Sequence, residues 1–254
     1  MKQSGNTILI TGGGSGIGEA LAHRFHDAGN TVIVAGRRQD ALDKACEGRD
    51  NMHGMVLDVE SAEGVKDFAR RVLEAHPALN VLINNAGIMR FEPLDTARDL
   101  SDAEATITTN LLGPIRLIDA LIDHLTAQDG AAIVNVTSGL AFVPLIVTPT
   151  YNATKAAIHS YTVSLREALK GKVEVIELAP PAVQTGLTPG QESRPGYQPL
   201  DEFAEEVMAL FAHDPTPKEI LVDRVGFLRF AEAQGRFDDT VTQLNEFATK
   251  AREG

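Results

Sequence analysis

Hydrophobic residues in this chain fall into short runs set apart by longer amphipathic stretches. The runs are TILI at 7–10, TVIVA at 31–35, MVL at 55–57, NVLIN at 80–84, AAIVNV at 131–136 and VEVIEL at 173–178. Each is too short for a helix, so each predicts a strand. The stretches between them repeat at helical spacing. In GIGEALAHRFHDAG, Ile17, Leu21 and Phe25 share one face and Gly29 supplies a stop. Strand and helix in alternation imply parallel pairing through right-handed crossovers, with helices on both faces of one sheet. Past residue 178 the pattern continues with a proline-rich connection (180–199), a helix near 201–213 and a last strand at 218–222, KEILV. The predicted class is therefore α/β, a doubly wound parallel sheet of about seven strands. From about 224 to the end the chain reads as helical, with Phe227, Phe230 and Phe237 giving apolar faces for packing or subunit contact. No linker, repeat or low-complexity tract interrupts it, so residues 1–254 are expected to form a single domain.

Composition narrows the function. With 254 residues and 43% hydrophobic content the chain can bury a full core. A formal charge of -12 argues against nucleic acid and anionic membrane surfaces as partners. The longest apolar stretch, AFVPLIV, is far too short to span a bilayer. A single cysteine, Cys46, rules out an internal disulfide framework and fits a reducing compartment. With no room for a signal peptide before the first strand, a cytoplasmic protein is expected. The seven histidines lack ligand spacing, so no metal site is expected. Two glycosylation sequons, at Asn135 and Asn152, fall where buried strand and site backbone are expected, and are read as accidental.

Candidate chemistry gathers where the strands end. TGGGSGIG at 11–18 follows the first strand and opens the first helix. There glycines let the backbone approach a pyrophosphate, and the helix N-terminus offers unpaired N–H groups; the alternative is an ordinary turn. The second strand ends in VAGRR. Gly36 stands where an acidic residue would accept hydrogen bonds from an adenosine ribose, and Arg37 and Arg38 follow it. Guanidinium groups there suit the additional phosphate of NADP; a solvated helix start is the plain alternative. NNAG at 84–87 ends the fourth strand and VNVTSG at 134–139 the fifth, at the same sheet edge. YNATK at 151–155 sets Tyr151 and Lys155 four residues apart on one helix face, thirteen residues beyond Ser138. Serine, phenol and ammonium can thus converge.

In combination, TGGGSGIG, NNAG, Asn110, Ser138 and YNATK resemble the short-chain dehydrogenase/reductase family, a Rossmann-fold family, in order and spacing across nearly the whole chain. VTSGLAFVPL and IELAPPAVQTGL further resemble the branch named for oxidoreductases associated with D-alanyl transfer. The resemblance implies a catalytic tetrad of Asn110, Ser138, Tyr151 and Lys155. It implies cofactor contacts from Gly12, Gly14, Ser15, Gly16, Ile17 and Gly18 in the glycine loop, and from Asp58 and Val59 near the adenine. Asn84, Ala86 and Gly87 would border the cofactor, with Pro180, Val183 and Thr185 along its nicotinamide. Two departures stand out: Pro180-Pro181 replaces the usual Pro-Gly and stiffens that segment, and Ser15 stands where many NADP-preferring members carry a basic residue.

The activity expected is NADP(H)-dependent interconversion of a carbonyl and an alcohol, with NAD(H) as the alternative cofactor and a non-catalytic nucleotide sensor as the other class. Tyr151 would exchange the proton, its pKa lowered by the Lys155 ammonium, while Ser138 positions the oxygen. By resemblance, Lys155 also holds the nicotinamide ribose and Asn110 anchors a water. Phe142, Val143 and Leu145 are candidates for an apolar substrate wall, or for core or interface. The substrate is a small molecule whose class stays open, and a homodimer or homotetramer is expected.

Overall fold

The structure, a computed structural model, describes residues 1–253, with side chains through Lys250. Seven parallel strands form one sheet: β1 (Thr7–Thr11), β2 (Thr31–Gly36), β3 (Met52–Val56), β4 (Leu79–Asn84), β5 (Ala132–Val136), β6 (Glu174–Leu178) and β7 (Glu219–Ile220), in the order β3-β2-β1-β4-β5-β6-β7. The central strands read as continuous hydrophobic runs because both of their faces are buried. Alternate side chains divide between two cores. Ile8, Ile10, Val32, Val34, Val81 and Ile83 face one layer. Leu9, Ile33, Ala35, Leu79 and Leu82 face the other.

The helices are α1 (Gly16–Asp27), α2 (Gln39–Cys46), α3 (Ala62–Ala75), α4 (Ser101–Ile107), α5 (Gly113–Thr126), α6 (Pro149–Ala168), α7 (Leu200–Phe211), α8 (Gly226–Arg229) and α9 (Phe237–Glu253). On the first core, Phe25 of α1 meets Phe211 of α7 edge to face, ring centres 5.5 Å apart. α3 and α5 cover the second core through Val65, Phe68, Val72, Leu117 and Leu121. α3 starts with Ser61, whose hydroxyl accepts a hydrogen bond from the Gly64 N–H at 3.0 Å, an N-cap that satisfies one orphan donor.

Strand order reverses its direction of growth between β1 and β4, so their connections leave to opposite sides and open a crevice at the carboxyl edge. Thr11 ends β1 there and Asn84 ends β4. Three sequence expectations shift. The third strand runs Met52–Val56 rather than 55–57; it is an edge strand paired only with β2, and its half-exposed pattern lacks an apolar run. The last strand shrinks to Glu219–Ile220. The helical tail is two helices, separated by a turn containing Gly235 at φ 66°.

Candidate active site

The glycine loop is shaped by contacts that only hydrogen allows. Gly12 sits at φ 66°, a conformation side chains disfavour, and its N–H donates to the Ala35 carbonyl at 2.7 Å. A Cβ on Gly18 would lie 2.3 Å from the Gly12 carbonyl oxygen, so α1 packs directly against the loop. Asn85 braces the same loop. Its amide donates to the Thr11 carbonyl at 2.9 Å, and the Asn85 and Ala86 N–H groups both donate to the Thr11 hydroxyl at 3.0 Å. Ser15 precedes α1 in extended backbone, and its side chain makes no capping bond.

Two cavities meet over this loop. One of about 480 Å³ is lined by Gly12, Gly14 and Ser15, by Arg37 and Arg38, and by Asp58 and Val59. The other, about 490 Å³, brings Gly16 and Ile17 together with Ser138, Tyr151, Lys155, Pro180, Val183 and Thr185. Ala86, Gly87 and both arginines border both, so the two form one trough. Its two joined cavities, glycine cradle and helix N-terminus fit an extended dinucleotide.

Among the tetrad and cofactor residues expected from the resemblance, three lie off this trough. Asn84 turns into the sheet and donates to Asn135 Oδ1 at 2.9 Å, while Asn85 takes the cavity wall. Gly18 lies behind the loop as a packing contact. Asn110 stands in a π-helical turn, Thr108–Leu112, behind the wall. Its carboxamide grips Ile88 twice, accepting from the N–H at 2.9 Å and donating to the carbonyl at 2.8 Å, and reaches the Thr154 hydroxyl at 3.3 Å. It therefore ties the loop after β4 to the helix that carries Tyr151 and Lys155.

Ser138, Tyr151 and Lys155 do converge. They are 7%, 7% and 5% exposed, held at the mouth of a shared cavity. Ser138 Oγ accepts from the Leu140 N–H at 3.1 Å, which leaves its own proton to donate outward. The expected lowering of the phenol by Lys155 is not found. Burial pushes Tyr151 up to about 12, opposed by its hydrogen bond with Ser138. Burial likewise pushes Lys155 down to about 8. The ammonium is held by the end of β5: Nζ donates to the Val136 carbonyl at 2.8 Å and lies 5.6 Å from the Tyr151 ring centre.

Several side chains near the site went unread in the sequence. Glu92, buried beneath the loop, accepts from the Thr150 hydroxyl at 2.9 Å and the Thr150 N–H at 3.3 Å, at the start of α6. Arg98 pairs with it at 3.0 Å. Gln191 donates to Val183 O at 2.8 Å and to Thr185 Oγ1 at 3.1 Å, holding the segment over the trough. None belongs to a local motif, since each acts across a loop. Phe142, Val143 and Leu145 do not wall the trough. Val143 packs with Leu228 and Ala231 under the C-terminal helices, and Phe142 stacks under the Arg229 guanidinium at 4.7 Å. No group of His, Cys, Asp and Glu suited to a metal occurs among the described residues, and none of their helices is long and apolar enough to cross a membrane. Asn135 and Asn152 of the two sequons are both buried.

A parallel sheet with a glycine loop at its switch point, and Ser138, Tyr151 and Lys155 beside it, defines a dinucleotide-binding oxidoreductase fold. The family model for short chain dehydrogenases matches residues 6–195, and the chain belongs to that family. It is similar to an uncharacterized oxidoreductase, DltE, of Bacillus subtilis, 39% identical over 249 residues that cover 96% of this chain and 98% of the relative. The sequence resemblance to that branch is thus met. A short-chain dehydrogenase from Burkholderia cenocepacia, solved in complex with NADP, superposes with a TM-score of 0.80 at 26% identity, covering 92% of this chain and 94% of its own. The 3-ketoacyl-(acyl-carrier-protein) reductase of Brucella melitensis, solved with NADH, gives a TM-score of 0.76 at 26% identity and covers 85% and 93%.

Proposed function

We propose that this protein is an NADP(H)-preferring oxidoreductase that interconverts a carbonyl and an alcohol, with Tyr151 as the general acid and base. The carrying observation is the convergence of Ser138, Tyr151 and Lys155 on one cavity continuous with the glycine loop. The nicotinamide complexes of the two solved relatives support a nicotinamide nucleotide as the trough's occupant. Gly12, Gly14, Ser15, Gly16 and Ile17 would hold its pyrophosphate, Asp58 and Val59 its adenine side, and Pro180, Val183 and Thr185 its nicotinamide side. When bound there, NADP(H) supplies or accepts the hydride at the substrate carbon.

The chain's own residues handle the oxygen and its proton. A phenol held up at about 12 keeps its proton at neutral pH, so Tyr151 is loaded to donate to a carbonyl oxygen. Ser138, with Oγ already accepting from Leu140, donates its O–H to the same oxygen and orients it. Lys155, near 8, is close to the right range to exchange a proton with solvent and restore the phenol. Asn110 keeps Ile88 and Thr154 in register on either side.

Cofactor choice rests on the end of β2. Arg37 and Arg38 line the trough where Gly36 presents no carboxylate. Arg37 meets Glu60 at 3.6 Å with 62% of its side chain exposed, a weak pair that a phosphate would displace. The test is the NADPH/NADH ratio of kcat/KM in the wild type, Arg37→Ala, the double Arg37→Ala/Arg38→Ala variant and Gly36→Asp. A charge-assisted phosphate contact is worth about 1.5–3 kcal/mol, so Arg37→Ala should cost NADPH roughly tenfold to a hundredfold and leave NADH nearly unchanged. Asp at 36 fits without a clash, since a Cβ there meets only Leu42 Cδ2, at 3.6 Å, and its charge should reverse the preference. A native preference for NADH, or a ratio indifferent to both arginines, overturns the NADP assignment. Stoichiometric NADPH binding without turnover of any carbonyl would instead favour a sensor.

A further inference from the structure

The catalytic end of the trough is electropositive in a protein of formal charge -12. Four cations line the Tyr151 cavity, Arg37, Arg38, Arg90 and Lys155, and among the described residues no Asp or Glu does. Three of the four have other work. Arg37 and Arg38 also border the adenosine-side cavity, and the buried Lys155 ammonium donates to Val136 O. Arg90 and Lys155 border only the cavity that holds Ser138 and Tyr151, and of the two only Arg90 has a half-exposed side chain able to turn to a ligand.

Its place on the loop is fixed from both sides. Two residues before it, Ile88 is gripped at both N–H and carbonyl by Asn110. Two residues after it, the Glu92 N–H donates to Val147 O at 3.0 Å and the Glu92 carboxylate holds Thr150. A five-residue span clamped at both ends thus carries one guanidinium across the cavity wall. The Arg90 side chain is 46% exposed, and its one ion pair among the described residues, Nε to Asp102 Oδ1 at 3.5 Å, is long and open to water, with Asp102 60% exposed. Exposed pairs of that kind contribute little, so the guanidinium can turn to a better anion at small cost. A planar guanidinium matches a carboxylate or sulfonate with two parallel hydrogen bonds.

We propose that Arg90 is a specificity-determining residue that anchors an anionic group of the substrate, so that the preferred substrates are carbonyl compounds carrying a carboxylate or sulfonate. This rests on the carbonyl-alcohol reading of the same site. The anion held by Arg90 leaves the reacting carbonyl to Ser138 and Tyr151, and electrostatic focusing by the cavity raises the local concentration of such substrates.

Matched aldehydes test it: succinic semialdehyde against butanal, and 4-carboxybenzaldehyde against benzaldehyde, with saturating NADPH. The wild type should favour the anionic member of at least one pair by about tenfold or more in kcat/KM, mainly through KM, as one charge-assisted contact allows. Arg90→Gln should abolish that ratio by lowering only the anionic rate, and Arg90→Lys should keep part of it. Direct binding runs beside the kinetics: calorimetry of the enzyme with NADP+ bound, titrated with 4-(hydroxymethyl)benzoate and with benzyl alcohol. If no carbonyl turns over but the benzoate binds tighter in an Arg90-dependent way, the anion anchor stands and the oxidoreductase reading fails. If Arg90→Gln changes neither the kinetic ratios nor the binding difference, the anchor is wrong whatever the enzyme reduces.

Discussion

Tyr151 and Lys155 are both buried, and burial drives their pKa values apart, each toward its uncharged form: the phenol up to about 12, the ammonium down to about 8. A raised phenol favours one direction of reaction. Reduction needs the protonated form, which stays full from pH 6 to 7.5, so kcat/KM for a carbonyl should be level there. Oxidation needs the phenolate, whose fraction grows tenfold per pH unit below its pKa, so kcat/KM for an alcohol should climb with pH over the same range. Parallel pH profiles in the two directions would contradict a phenol general acid and base. Tyr151→Phe should keep cofactor binding and lose turnover by at least about a hundredfold, checked by NADPH titration beside steady-state rates. Residue identities such as these were legible in sequence; their orientations were not. The sequence singles out Asn84, yet strand alternation sets it on the face of Leu82, and Asn85 reaches the trough instead. The hydrogen bond donated by the Lys155 ammonium was equally hidden, because the Val136 carbonyl that accepts it lies on another element.

At the scale of elements, α6 depends on a partner outside itself. It opens at Pro149, which lacks an N–H and suits a first helical turn, but Thr148 provides no side-chain cap. Glu92 supplies the missing acceptor and a negative charge at the positive end of the helix, with Arg98 behind it. Glu92→Ala should therefore destabilise the protein by about 1–3 kcal/mol in urea unfolding and lower kcat, since Tyr151 sits in the turn that loosens. Glu92→Gln, which keeps an acceptor for Thr150, should recover much of both. Equal losses in the two variants would mean that charge against Arg98, rather than capping, is what matters. The four-residue spacing of Tyr151 and Lys155 made α6 readable, and burial on two faces made the central strands readable. Edge elements escaped: β3 carries a mixed pattern because it faces water, and β7 pairs over only two residues. Glu92 could not be found by local rules, lying 58 residues from the helix it caps.

For the whole molecule, the C-terminal helices form a buttress for the site. A Cβ on Gly139, next to Ser138, would meet Leu228 Cδ1 of α8 at 2.7 Å, and Asn245 of α9 accepts from the Ile146 N–H at 2.8 Å just ahead of α6. That packing leaves apolar side chains facing outward on several surfaces. Ile146 and Leu94 are each 62% exposed, and Val163, Phe227, Phe230 and Phe247 each exceed 40%. Scattered exposed residues are ordinary, but Ile146, Leu94 and Pro149 border one shallow apolar hollow of about 440 Å³. Closed symmetric association is the common way for such an enzyme to cover apolar surface, and a homodimer or homotetramer is the expected state. Multi-angle light scattering at micromolar concentration should give two or four times 27.2 kDa. Ile146→Glu, ahead of α6, and Val163→Glu, within it, then divide the surface: the substitution that lowers the mass identifies the covered face. A uniform monomer in the wild type would mean that the buttress already does what a partner subunit otherwise would, and that these apolar side chains stay in water.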